Sequence, residues 1–144
     1  LAELDDLIEI SRDAEYMISQ PGPANYNPDN AYFLSGEVPR LKQHAFHCPE
    51  NADKPHVVIR LAESTEISAI RIVNRIGQLN ERAAGLTVWI SEDGEDWTKI
   101  WQAESPDADW TISFSEPVEG RYIKIGLPGR GTLHLNHATF FGTK

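Results

Sequence analysis

The residues with the most chemical capability fall into three groups. Two His-x-x-His pairs, His44/His47 with Cys48 close behind and His134/His137, offer the nitrogen and sulfur donors that zinc selects. The second pair lies in TLHLNHATFF, which reads as a strand, and residues three apart on a strand face opposite sides. One metal joins them only across a bulge, so zinc is not expected. Cys48 beside His47 has the composition of an activated thiol, but chain neighbours seldom aim their side chains at each other and no third triad member accompanies them. Arg75 and Arg82 bracket a short loop containing Glu81, where a solvated arginine or a surface ion pair is the default. Asp93, Glu95 and Asp96 crowd around Gly94 in a turn and read as solvated charge. With no G-x-S-x-G elbow and no glycine-rich phosphate loop, triad and nucleotide chemistries lack their parts. The chemistry left is recognition, and no enzyme is expected.

Strands must position these groups. From residue 56 onward the runs HVVIRL (56–61), ISAIRIVN (67–74), GLTVWIS (85–91), WTKIWQ (97–102), WTISF (110–114), RYIKIGL (121–127) and TLHLNHATFF (132–141) follow one another with turn residues between them. In several, apolar residues recur at every second position, as with Ile70 and Ile72, or Ile123, Ile125 and Leu127 around Lys124. That is the period of half-buried strands, and the short spacing predicts an antiparallel sandwich or barrel. Asp93-Gly94 marks a hairpin turn, with Trp97 opening the next strand. Of Trp89, Trp97, Trp101 and Trp110, the second and third are expected in the core, since large aromatics fit the inner faces of a sandwich. AEYMIS near residue 14 reads as one more strand, and LAELDDLIEI before it as a leader with a helical turn or two. Residues 20–55 are dense in Pro, Asn, Gly and Asp and read as a long packed loop region.

At 144 residues the chain holds one domain, and 40% hydrophobic with 24% charged residues excludes collagen, coiled coil and low-complexity disorder. Unbroken apolar runs are far shorter than the roughly 20 residues of a spanning helix. One cysteine permits no intramolecular disulfide. The formal charge is −9, with a basic excess only in residues 40–82. An acidic chain repels phosphate backbones and anionic lipid, so neither nucleic acid nor a membrane is expected as a partner. Leu1–Asp6 has neither the basic nor the apolar stretch of a secretion signal, and residues 1–13 are expected to be a leader or linker remnant ahead of a domain at 14–144.

Three stretches carry a family resemblance. VWISEDGEDWTKIW (88–101) and RYIKIGLPGRGTLHLNHATFFG (121–142), with the I-x-x-I-R-I-x-N pattern at Ile67–Asn74, resemble the discoidin domains, also called coagulation factor 5/8 type C or galactose-binding-like. The resemblance covers about residues 45–142. It implies an all-β, eight-stranded antiparallel jelly-roll β-sandwich with binding loops at one end. Within that group the loops look closest to the fucose-binding F-type lectins and to carbohydrate-binding modules. Phe46-His47-Cys48 stands in the place of the lectins' F-H-T, and Arg75-Ile76-Gly77 followed by Arg82 in the place of their R-x-D and later basic residue. The spacing from His47 to Arg75 is one residue longer than theirs, and Gly77 replaces the Asp that fixes the neighbouring arginine.

The residue types suit a sugar. Arginine forks and an imidazole nitrogen satisfy vicinal hydroxyls at fixed geometry, and an aromatic face covers the apolar C–H patch. The resemblance assigns the grip to His47, Arg75 and Arg82, with Phe46, Tyr32 or Phe33 as the aromatic wall and Glu50 or Asn51 as a rim acceptor. It also implies a structural calcium ion on Asn27, Asp29 and Asn30, although His137 falls where the family has a glutamate and Ser35-Gly36 where it has Asp-Gly. No other cofactor is expected. The function implied is non-catalytic binding of a glycan or polysaccharide, as a lectin or as a module of a larger protein in an extracellular or cell-surface setting. The alternative is a protein-interaction or structural domain of the same fold, since the sandwich by itself fixes no function.

Overall fold

The computed structural model describes residues 7–10, 14–18, 34, 46–48, 51–74 and 79–143. Ten strands are present among them: β1 Leu7–Glu9, β2 Glu15–Ile18, β3 Phe46–His47, β4 Ala52–Asp53, β5 His56–Asn74, β6 Thr87–Ser91, β7 Thr98–Gln102, β8 Asp109–Gly126, β9 Arg130–Gly131 and β10 His134–Thr143. Eight of them form one antiparallel sheet with the path β1-β10-β5-β8-β6-β7, β2 pairing with β5 and β3 with β10; β4 and β9 form a separate two-stranded ribbon.

Two long strands make this sheet a sandwich. The sequence divides β5 at 62–66 and β8 at 115–120, where the apolar alternation lapses. The backbone ladder continues through both, with register shifts between Arg60 and Thr65 and between Ile67 and Ala69. Polar residues interrupt the burial pattern and the pairing shifts register there, but neither strand ends. Pro117, which has no N–H to donate, falls in the gap between Ile67↔Val118 and Ala69↔Ser113. Each strand doubles back there. The first arm of β5 and the last arm of β8 form one layer with β2, β6 and β7. The remaining arms form the other with β10, β1 and β3. This is the eight-stranded antiparallel jelly-roll β-sandwich.

Alternating residues of both layers meet in one core. Val57, Ile59, Val88, Ile123 and Ile125 from the first layer, and Ile70, Ile72, Leu135, Ala138 and Phe140 from the second, are all fully buried. At the edge Trp101 of β7 meets Trp110 of β8 edge-to-face, ring centroids 6.1 Å apart and planes at 72°. Trp101 thus packs on the core as expected. Trp97 does not: it lies on the outer face, its ring 4.6 Å from the Lys124 ammonium.

Three further local features bear on the sequence reading. Leu7–Glu9, read as part of a helical turn, is an edge strand on β10, because a three-residue apolar fragment has no period of its own and a free strand edge was available. The Asp93-Gly94 turn is present, Gly94 at φ 81 and Asp93 Oδ1 accepting the N–H of Glu95 and of Asp96. The bulge that the His134/His137 spacing required also exists, as a register shift between Leu135 and His137. It brings both imidazoles into the buried set.

Folding back puts both ends of β5 and both ends of β8 at one end of the sandwich. The described residues 79–86, 103–108 and 127–133, with Cys48 and 51–55, therefore gather there.

Candidate functional site

Arg82 is carried by a single 3-10 turn, Asn80–Ala83, entered through Leu79 in the left-handed region at φ 65. The turn is tied to the sandwich by Asn74, the buried last residue of β5, whose Nδ2 donates to the carbonyls of Asn80 at 3.2 Å and Asp107 at 2.9 Å. Its own N–H donates to Ala108 O at 2.9 Å. One side chain thereby ties the 3-10 turn to the connection before β8. The half-buried Arg82 extends Nη1 to 3.5 Å from Nε2 of His134, a buried residue at the start of β10. At that distance the guanidinium is the donor, and the ring accepts when its proton sits on Nδ1. β3 lays the backbone of His47 opposite His134 and that of Phe46 opposite Leu135. The backbone of His47 and the side chain of Arg82 thus converge on His134 at the loop end.

Arg75, Glu50, Asn27, Asp29 and Asn30 lie outside the described residues, as do Gly77, Tyr32, Phe33 and His44, and for Phe46 and His47 the description extends to the backbone alone. For calcium, the described residue is His137. It is buried, and its Nε2 hydrogen-bonds with Thr139 Oγ1. Calcium takes oxygen ligands, and a nitrogen already engaged with a hydroxyl does not fit it. Among the described residues no three His, Cys, Asp or Glu side chains are gathered as metal ligands.

Neither His134 nor Asn74 is singled out by sequence as a site residue, although both stand in the family pattern. The L-H-L at residues 133–135 and the closing Asn of I-x-x-I-R-I-x-N were the available signals.

Two clefts flank the loop end. One, of about 240 Å3, is lined by Lys54, His56, Trp89, Lys124, Leu127 and Pro128 on the outer face of the first layer. The other, of about 470 Å3, lies around Trp101, Glu104, Asp107, Asp109 and Trp110. In the first, burial and then the nearby Lys54 ammonium push the Lys124 amine below the usual lysine range. Away from both, Asp93 is held below the ordinary carboxylate range by the N–H groups of Asp96 and Glu95 and by the Ser91 hydroxyl.

The sequence matches the F5/8 type C domain family over residues 18–137, and the chain belongs to that family. No curated protein sequence matches it. Among solved structures it is similar to an F-lectin (fucolectin) from the serum of striped bass, Morone saxatilis, at 22% identity and a TM-score of 0.81, covering 94% of this chain and 49% of that one. It therefore spans about half the length of that lectin. It is also similar to a fucose-binding module of Streptococcus pneumoniae, at 17% identity and a TM-score of 0.76, covering 95% and 96% of the two chains. A third neighbour is a family 32 carbohydrate-binding module from Clostridium perfringens in complex with galactose, at 13% identity and a TM-score of 0.70, covering 94% and 99%. Together they identify the discoidin-type sandwich.

Proposed function

We propose that this chain is a non-catalytic carbohydrate-binding domain, and that it grips one sugar unit at the loop end with His47, Arg75 and Arg82. Phe46 supplies the apolar wall and Glu50 a rim acceptor. Family membership supports the reading, as do structural neighbours described as a fucolectin, a fucose-binding module and a galactose-bound module. The observation that carries it is the 3.5 Å approach of Arg82 Nη1 to His134 Nε2, on the residue whose backbone pairs with His47. A guanidinium has five donors in a rigid fork. In this reading vicinal hydroxyls of the sugar accept from that fork at the rim. By the same reading His134 orients Arg82, while the Asp with which the lectin motif fixes its neighbouring arginine is replaced here by Gly77.

The domain acts as one part of a longer glycan-binding protein, where neighbouring domains raise a weak single-site affinity through avidity. A shallow, wet site of this kind binds at about −4 to −8 kcal/mol, millimolar to micromolar. The test is a glycan array, followed by calorimetry of the best neutral hit on wild type and on Arg82→Ala. Binding at this affinity that drops about tenfold or more in the variant supports the assignment. Binding that survives moves the sugar to another loop, and silence across the array favours the interaction-module alternative.

A further inference from the structure

Lys124 is an unusual lysine. It points outward from β8 between two core isoleucines, opposite Trp89 of β6 in register, and its ammonium lies 4.8 Å from the Trp89 ring centroid and 4.6 Å from that of Trp97. Contact with two indoles fixes a side chain that is ordinarily free, and it withdraws the charge from water. Lys54, held at φ 46 on the segment between the β4–β9 ribbon and β5, adds a second ammonium to the same cleft. Among the described residues neither lysine has a carboxylate partner; the ion pairs are Arg60 with Glu15 and Arg71 with Asp109. Two like charges share one small cleft on a chain whose formal charge is −9.

The walls limit what enters. His56 donates from Nδ1 to the Lys54 carbonyl at 2.9 Å, which holds its ring against one side. Leu127 and Pro128 form an apolar side, and the Trp89 indole another. A cleft of about 240 Å3 is smaller than the roughly 300–1,000 Å3 of drug-sized ligand sites, so it admits a single ring. An extended polyanion would meet the acidic remainder of the surface, whereas one anionic ring meets only the two ammonium groups.

We propose that the cleft between Lys54 and Lys124 is a second saccharide subsite, selective for a sugar that carries a carboxylate or a sulfate ester. The anion sits between the two ammonium groups and relieves their repulsion, while the ring's C–H face lies on Trp89 and Pro128. The site is independent of the loop-end grip, although both open at the same end of the sandwich.

The test disables the loop-end site first. In the Arg82→Ala variant, calorimetry with galacturonate, galactose 6-sulfate and galactose reads the cleft. At least one acidic sugar is expected to bind about tenfold or more tighter than galactose, and that preference is expected to fall about tenfold in Lys124→Met and in Lys54→Gln. Lys54 is exposed, so its variant keeps the fold even where Lys124→Met does not. A tighter carboxylate identifies a uronic acid class, and a tighter sulfate a sulfated one. The proposal is overturned by equal binding of acidic and neutral sugars, by a preference unchanged in both lysine variants, or by inorganic sulfate binding as tightly as the sugar sulfate. It is also overturned if wild type binds acidic sugars and Arg82→Ala does not, because the anion then belongs to the loop-end site. Failure of neutral-sugar binding in wild type bears only on the loop-end reading.

Discussion

The two clefts beside the loop end are built alike and charged oppositely. Each has an indole in its wall, and in the acidic one Asp109 and Asp107 are already engaged by the protein itself. Asp109 faces Arg71 at 3.9 Å, and Asp107 accepts from the Ser105 hydroxyl at 3.0 Å while its backbone carbonyl receives Asn74 Nδ2. Its polar groups serve to hold the connection between β7 and β8. In the basic cleft, ammonium groups face each other and two aromatic rings. Charge that the fold has neutralised is structural, and charge held in place without a counter-ion is available for recognition.

The largest effect on this contrast should come from Gly126, which pairs with His56 beside the basic cleft. A Cβ at Gly126 would lie 2.5 Å from the Pro55 carbonyl and 2.8 Å from His56 Cα, both backbone atoms that cannot step aside. Gly126→Ala is expected to cost about 3 kcal/mol in chemical denaturation. Gly129→Ala, with nothing within 4 Å of its Cβ, should leave the midpoint where it is. Equal midpoints for the two variants would mean that the rim accommodates the methyl group.

Asn74→Ala acts on the other side. It leaves the carbonyls of Asn80 and Asp107 without their donor, at about 1–3 kcal/mol. It also loosens the loop that holds Arg82, so affinity for the neutral glycan hit should drop while acidic-sugar binding at Lys124 persists. Loss of both affinities together would show that the two sites are not separable.

A smaller effect follows from the lowered Lys124 pKa. Folding disfavours this ammonium, so its cost is present below the folded pKa and is relieved as pH rises from there toward 10.5. Stability should therefore gain slightly over that alkaline window in wild type and not in Lys124→Met. Acidic-sugar affinity should run the opposite way, weakening as the ammonium deprotonates. Calorimetry across the window checks both, with His56, Lys54 and Lys99 as the other titratable groups near Lys124 on the flanking segments.

The smallest effect lies far from either cleft. Asp93 is held below 3.8, so its contribution is present above that pH and is lost as pH falls through the folded value. Asp93→Ala should lower Tm slightly at neutral pH, remove that part of the acid limb, and leave every sugar affinity unchanged.

Much of this was legible in the chain. Alternation at Ile70/Ile72 and Ile123/Ile125 marks the inner faces, Asp93-Gly94 marks the hairpin, and the spacing of strands with turn signals marks the sandwich. The motif around Phe46-His47 and Arg82 marks the end at which β3 pairs with β10 and Arg82 meets His134. What escaped has one physical cause, that sequence patterns report burial and local turns but not which distant groups meet. Trp97 resembles a core aromatic until Lys124 is found over its outer face. His134 resembles half of a zinc pair until Arg82 lies beside it. Asn74 is one more polar residue at a strand end until its amide reaches two separate loops.

By itself, then, the sequence determined strand period, turn positions and family pattern, because these depend on side-chain alternation and local backbone preference. Tertiary structure decided that β5 and β8 double back rather than end, and so brought residues 51–55, 79–86, 103–108 and 127–133 to one end. It also decided which charges found partners, since pairing depends on distances across the sheet that no linear spacing encodes.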